Sequence, residues 1–134
     1  MRARSFTLPM GSVSSSDKSL LLVEDEPLTA MSLMADLEGY GYRVNLCATG
    51  FDALNFIDME ECIDTLVTDI SLEYGPDGWE IARRARDQFP NSTVIYITGN
   101  AAEDYCAEGV PESHILKKPF KTAELVRLIS TLKH

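Results

Sequence analysis

The sequence predicts an α/β fold, a parallel sheet with helices packed on both of its faces. Two patterns carry that expectation. From Lys18 onward, short β-like runs alternate with longer helical patterns, the mark of repeated βα units, and five such units fit. Four of the apolar runs also stop at polar residues that phosphate chemistry can use. These are Leu20-Leu21-Leu22-Val23 before Glu24-Asp25, Leu66-Val67-Thr68 before Asp69, Val94-Ile95-Tyr96-Ile97 before Thr98, and Ile115-Leu116 before Lys117-Lys118. In an open parallel sheet the carboxyl ends of the strands face one crevice, so residues spread over about a hundred positions can meet there.

The elements follow in order. Leu20 to Val23 is an unbroken apolar run, as expected for a strand buried on both faces, and Pro27 sits where a first helical turn tolerates it. The first helix places Leu28, Met31, Met34 and Leu37 at three-residue intervals with Ala35 alongside, predicting a buried stripe, and Gly39 and Gly41 supply its exit. The second strand is expected over Tyr42 to Ala48, where Val44, Leu46 and Ala48 alternate with more polar neighbours, the pattern of a sheet edge. A second helix spans Gly50 to Met59, and a third strand runs from Ile63 to Thr68. Glu73 to Gly78 is dense in turn formers and reads as a loop, followed by a helix from Trp79 to Gln88. Thr93 to Thr98 is β-branched and aromatic, a fourth strand; a short helix near Ala101 to Ala107 separates it from a fifth strand, His114 to Lys117. The last helix, Thr122 to Leu132, gathers Leu125, Leu128, Ile129 and Leu132 on one face with Thr122 as candidate cap.

A length of 134 residues with 45% hydrophobic content suits one globular domain. The net charge of −9 argues against a grip on nucleic acid, which relies on clustered Lys and Arg. No run approaches the ~20 apolar residues of a membrane span, and no secretory signal opens the chain, so a cytoplasmic protein without a membrane partner is expected. Residues 1–17, rich in Ser with Gly11 and Pro9, read as a flexible tail ahead of a domain over 18–134. Cys47, Cys62 and Cys106 form no CxxC pair and read as reduced, partly buried thiols.

Acidic turns are common and usually solvated, so Glu24, Asp25 and Glu26 alone decide little. Asp69 changes the balance, because it ends a buried strand and faces the same crevice only in a parallel arrangement. Carboxylates crowded in a partly desolvated crevice repel, and a bound cation relieves them; all-oxygen ligation favours Mg²⁺ over Zn²⁺. Lys118 is the candidate amine, since Lys117 points to the opposite side of its strand. Thr98 offers a hydroxyl to a phosphoryl oxygen, with Gly99 leaving space beside it. The set predicts Mg²⁺-dependent phosphoryl transfer onto or near an aspartate. His114 and His134 have no partner acid at informative spacing, and Trp79, Tyr96 and Tyr105 read as packing residues.

With Glu24-Asp25, Asp69, Thr98 and Lys118-Pro119 in this order, the chain from about Ser19 to Leu132 closely resembles the receiver domain of two-component response regulators. The resemblance implies a flavodoxin-like fold, a doubly wound five-stranded sheet of order 2-1-3-4-5 with five flanking helices. It implies that Asp69 accepts a phosphoryl group from a histidine kinase or a histidine phosphotransfer protein. Asp25 and Asp69 would bind Mg²⁺ directly, Glu24 mainly through water, and the Ser71 carbonyl would complete the protein ligands, while Thr98 and Lys118 contact the phosphoryl oxygens. Output would run by binding an unidentified downstream protein, by phosphorelay, or by homodimerisation through the face of helix four, strand five and helix five.

Two departures stand out. The loop from Asp69 to Asp77-Gly78 looks about one residue longer than is usual, and Glu73 stands where the family often has proline. The position three before the lysine, often aromatic, is Ile115, so the usual aromatic coupling is not carried over. Tyr96-Ile97-Thr98-Gly99 partly resembles the Phe-Ala-Thr-Gly variant of a subgroup of stand-alone receivers. Three rival readings follow from the same residues. A haloacid dehalogenase type of aspartyl-phosphate phosphatase would need a second aspartate where Ser71 stands. A flavin mononucleotide module would need a glycine- and hydroxyl-rich loop where Glu24-Asp25-Glu26 stands. A receiver working unphosphorylated as an interaction module is the third, an alternative compatible with the sequence.

Overall fold

The computed structural model describes residues 18–99 and 105–132, the side chain of Cys106 excepted; the expected tail, the first part of the expected fourth helix and His134 lie outside them. The elements alternate along the chain: β1 (Ser19–Val23), α1 (Pro27–Gly39), β2 (Arg43–Cys47), α2 (Gly50–Met59), β3 (Thr65–Asp69), α3 (Gly78–Gln88), β4 (Thr93–Thr98), α4 (Tyr105–Glu108), β5 (His114–Lys117) and α5 (Thr122–Leu132). The five strands form one sheet in the order β2-β1-β3-β4-β5, and every neighbouring pair is parallel.

Alternation of side chains along each strand divides the core into two layers. Leu21, Val23, Leu66, Val94 and Tyr96 pack beneath α2, α3 and Tyr105 of α4, whereas Leu20, Leu22, Val67, Ile95 and Ile97 pack beneath α1 and α5. The handedness of crossovers explains why α1 lies opposite α2, α3 and α4. The chain steps from β1 out to β2, then reverses toward β3, β4 and β5, and right-handed crossovers in opposite directions lay their helices on opposite faces. The reversal leaves a crevice between the carboxyl ends of β1 and β3.

Capping sets the helix starts near that crevice. Glu26 Oε1 accepts from Thr29 N at 2.9 Å at the start of α1, Thr49 Oγ1 accepts from Asp52 N at 3.1 Å for α2, and Asp77 Oδ1 accepts from Glu80 N at 3.0 Å for α3. The buried stripe of α1 differs from the expected one. Ala30, Leu33 and Leu37 are buried with Met34 beside them, while Leu28, Met31 and Ala35 are exposed. A three-residue step turns only about 300° on a helix of 3.6 residues per turn, so the 28-31-34-37 series winds off the core face, and the 30-33-34-37 series keeps to it.

The edge strand β2 stops at Cys47, so Ala48 lies beyond it, exposed. Cys47 is buried because α2 covers it through Ala53 and Ile57. Ile63 is buried ahead of β3 rather than within it. Thr122 opens α5, and its hydroxyl donates to Asp36 Oδ2 of α1 at 2.9 Å, tying the two helices instead of capping one. His114 is exposed, the Cys47 thiol is buried, and the exposed Cys62 Sγ donates to Asp64 Oδ1 at 3.7 Å. No described helix is long and apolar enough to cross a membrane.

Candidate acidic phosphoryl site

Backbone hydrogen bonds extend the sheet by one residue past three strands, and those residues frame the site. Glu24 N donates to Cys47 O at 3.1 Å, Ile70 N to Ile97 O at 3.1 Å, and Lys118 N to Thr98 O at 2.8 Å. The carboxylates of Glu24 and Asp69 and the amine of Lys118 are therefore aimed from the hydrogen-bonded ends of the strands. Lys118 Nζ lies 3.0 Å from Asp69 Oδ2 and 3.3 Å from Glu24 Oε1, bridging β1, β3 and β5. The Lys118–Pro119 peptide is cis. Lys117, on the alternate side of β5, is exposed.

Glu24, Asp25 and Asp69 each offer a carboxylate oxygen, and these lie within 4.8 Å of one another. Oxygens on opposite sides of a Mg²⁺ ion are about 4.2 Å apart, so one small hard cation fits this donor set. Three carboxylates against one ammonium leave a local formal charge that a divalent ion would balance. Burial pushes the Glu24 carboxyl above the usual carboxylate range and the charge of Asp69 adds to that, while the Glu26 N–H at 3.1 Å and Lys118 work against it. Burial alone would lower the Lys118 ammonium; the hydrogen bond and charge of Asp69, with Glu24 behind them, outweigh it and raise it, so the amine stays charged.

Asp69 is held on every side. Oδ2 accepts from Lys118, Oδ1 accepts from Ser71 N at 3.3 Å, and its carbonyl accepts from Thr68 Oγ1 at 2.9 Å. Gly78 packs directly on its backbone: a Cβ at 78 would lie 2.3 Å from Asp69 O and 2.7 Å from Ile70 Cα. Thr98 is buried at the end of β4, in register with Lys117. Ser71 stands exposed at the mouth, just past Asp69. All of Glu24, Asp25, Asp69, Ser71, Thr98 and Lys118 thus lie at the carboxyl ends of β1, β3, β4 and β5.

An open cleft of about 490 Å³ lies beside Glu24 and Lys118, between α1 and the turn after β5, with Leu28, Leu33, Ile97 and Phe120 in its walls. On the other face, Ile115 is half-buried beside Tyr96 in the sheet register. Tyr96 is instead flanked by aromatics from two helices, Trp79 at a centroid separation of 4.7 Å and Tyr105 at 5.9 Å, and its hydroxyl accepts from Val110 N at 3.0 Å. The Tyr105 hydroxyl donates to the Ser113 carbonyl. Three contributors to the site carry no sequence signal: the amides of Glu26, Ser71 and Glu73, which donate to Glu24, Asp69 and Asp25. Main-chain donors exist at every residue but proline, so a sequence does not mark the ones that matter.

A family model described as the response regulator receiver domain matches residues 20–130. The chain is 33% identical over 117 residues to the response regulator receiver protein CpdR of Brucella abortus (strain 2308), covering 86% of this chain and 96% of that protein. Other curated relatives are longer, and the chain spans from 8% to 50% of their length. Among solved structures, a response regulator receiver protein from Sinorhizobium medicae WSM419 superposes with a TM-score of 0.82 at 37% identity, covering 86% of this chain and 93% of that one. The receiver domain of sensor histidine kinase PA1611 from Pseudomonas aeruginosa PAO1, with a magnesium ion coordinated in its active site cleft, superposes with a TM-score of 0.74 at 32% identity, covering 87% and 97%.

Proposed function

The chain belongs to the response regulator receiver domain family, and from that premise we propose that it is a stand-alone phosphoacceptor: Asp69 takes a phosphoryl group from a histidine kinase or histidine phosphotransfer protein. The convergence of Lys118 Nζ on Asp69 Oδ2 at 3.0 Å, beside two further carboxylates, carries the reading. Asp69 Oδ attacks phosphorus in line; the P–N bond of the donor phosphohistidine breaks, and its electron pair returns to the imidazole nitrogen. Asp25, Asp69 and the Ser71 carbonyl would hold Mg²⁺ directly and Glu24 mainly through water, and the ion would supply charge neutralisation at the transferring oxygens. Lys118 exchanges part of its pairing with Asp69 for a phosphoryl oxygen, and the Thr98 hydroxyl donates to another. Positioning and electrostatics drive the step, and because the phosphoryl group ends on Asp69 itself the domain is a signalling acceptor rather than a turnover enzyme.

The acyl phosphate adds roughly −1.5 to −2 charges beside existing acids, enough to bias the connection after β3 between two arrangements. Output then runs by protein binding, by phosphorelay or by dimerisation through the α4/β5/α5 face, in the cytoplasm, with residues 18–134 as the working domain. Incubation with Mg²⁺ and a small acyl-phosphate donor, read by intact mass, tests this. A gain of one phosphoryl group that Asp69→Asn abolishes is expected. No gain, or release of free phosphate without accumulation, overturns it, the second outcome favouring a phosphatase.

A further inference from the structure

Besides the Ser71 N–H on Asp69, the segment between β3 and α3 sends a second main-chain group into the acidic site. Glu73 N donates to Asp25 Oδ2 at 2.7 Å, across 48 positions of sequence. Close packing fixes where that amide stands. Gly78 N donates to Ile70 O at 2.9 Å and closes the segment. Gly50 at the start of α2 admits the Pro76 carbonyl, which a Cβ there would meet at 2.1 Å. Gly75, at φ +81°, lies against the Phe51 ring, 2.7 Å from where its Cβ would stand. The Glu73 side chain itself is exposed.

We propose that the Glu73 N–H is a positioning group for the cation: by engaging one oxygen of Asp25 it holds that carboxylate in a ligating orientation before the ion arrives. This rests on the reading of Glu24, Asp25 and Asp69 as a divalent cation site. A half-exposed carboxylate otherwise loses rotamer freedom on binding, and hydrogen bonds from outside the ligand set reduce that loss. The donor is a main-chain N–H, so every residue but proline supplies it, and its contribution is independent of the glutamate charge.

Two substitutions separate the amide from the charge. Glu73→Ala removes the carboxylate and keeps the N–H; Glu73→Pro removes both, at a position where the resembling family often carries proline. Calorimetric titration with MgCl₂, checked by the fluorescence of Trp79 beside Gly78, reads the effect. The expected Kd for Mg²⁺ in Glu73→Pro is about five- to tenfold weaker than in Glu73→Ala, at an unchanged urea midpoint. Equal Kd values in the two variants overturn the inference while leaving the cation site standing. An unsubstituted protein without saturable Mg²⁺ binding overturns the cation site and the inference with it. Amide hydrogen exchange in the unsubstituted protein gives a readout that survives misfolding of the proline variant: the Glu73 N–H is expected to be protected, and exchange at the free-peptide rate overturns the proposal.

Discussion

Lys118 is the residue on which the electrostatics of the crevice turn, because its amine is the cation shared by Asp69 and the almost fully buried Glu24. Removing one partner of a buried ion pair costs several kcal/mol when both are dry, but the Lys118 side chain is 33% exposed and water offsets part of that. Lys118→Met is therefore expected to destabilise the metal-free protein by about 1–3 kcal/mol in urea titration, and excess Mg²⁺ is expected to recover most of the loss. At this scale the sequence was legible wherever side-chain chemistry announced itself, as with Glu24, Asp25, Asp69 and Lys118. The exposed positions of Leu28 and Met31 were not, since a three-residue period and a three-and-four period share half their members.

Among the elements, the β3–α3 connection packs on Asp69 through main-chain atoms. Gly78 touches the Asp69 carbonyl and Ile70 Cα, both main-chain atoms, and neither yields as a flexible side chain would. Gly78→Ala is expected to cost about 2 kcal/mol or more by overpacking, measured by thermal unfolding, and to slow phosphorylation of Asp69 at temperatures where the variant remains folded. Strand and helix identities were readable because unbroken apolar runs mark strands covered on both faces, as Leu20 to Val23 and Val94 to Ile97 are. Ends were less readable. Ile63 is as buried as a strand residue without being one, and burial is what a hydrophobic pattern reports. The stacking of Trp79, Tyr96 and Tyr105 joins α3, β4 and α4 in one packed layer, the role their bulk suggested, and Tyr96 stands in register beside Ile115, where the family often supplies an aromatic within β5.

Across the whole molecule, several groups hold their protons more tightly folded than unfolded. Burial pushes the Cys47 thiol up to about 11, with Asp52 adding to it, and raises the Tyr42 and Tyr96 hydroxyls; the Lys118 ammonium is raised as well. The folded state then binds more protons than the unfolded chain above about pH 9, so stability, full below that, falls as pH rises. Urea midpoints measured between pH 8 and about pH 11 are expected to decline, and Cys47→Ala is expected to flatten the early part of that decline. The sheet order was legible by resemblance, whereas the placement of α1 opposite α2, α3 and α4 follows from the reversal after β2, a property of the path rather than of any residue. That path has a consequence for synthesis. Lys118 meets Glu24 across 94 positions and Asp69 across 49, so a nascent chain presents its acidic hollow long before the neutralising amine emerges from the ribosome. A truncated product ending before β5 would keep the acids and lack their counter-ion, and competence to receive a signal would certify that translation had passed β5.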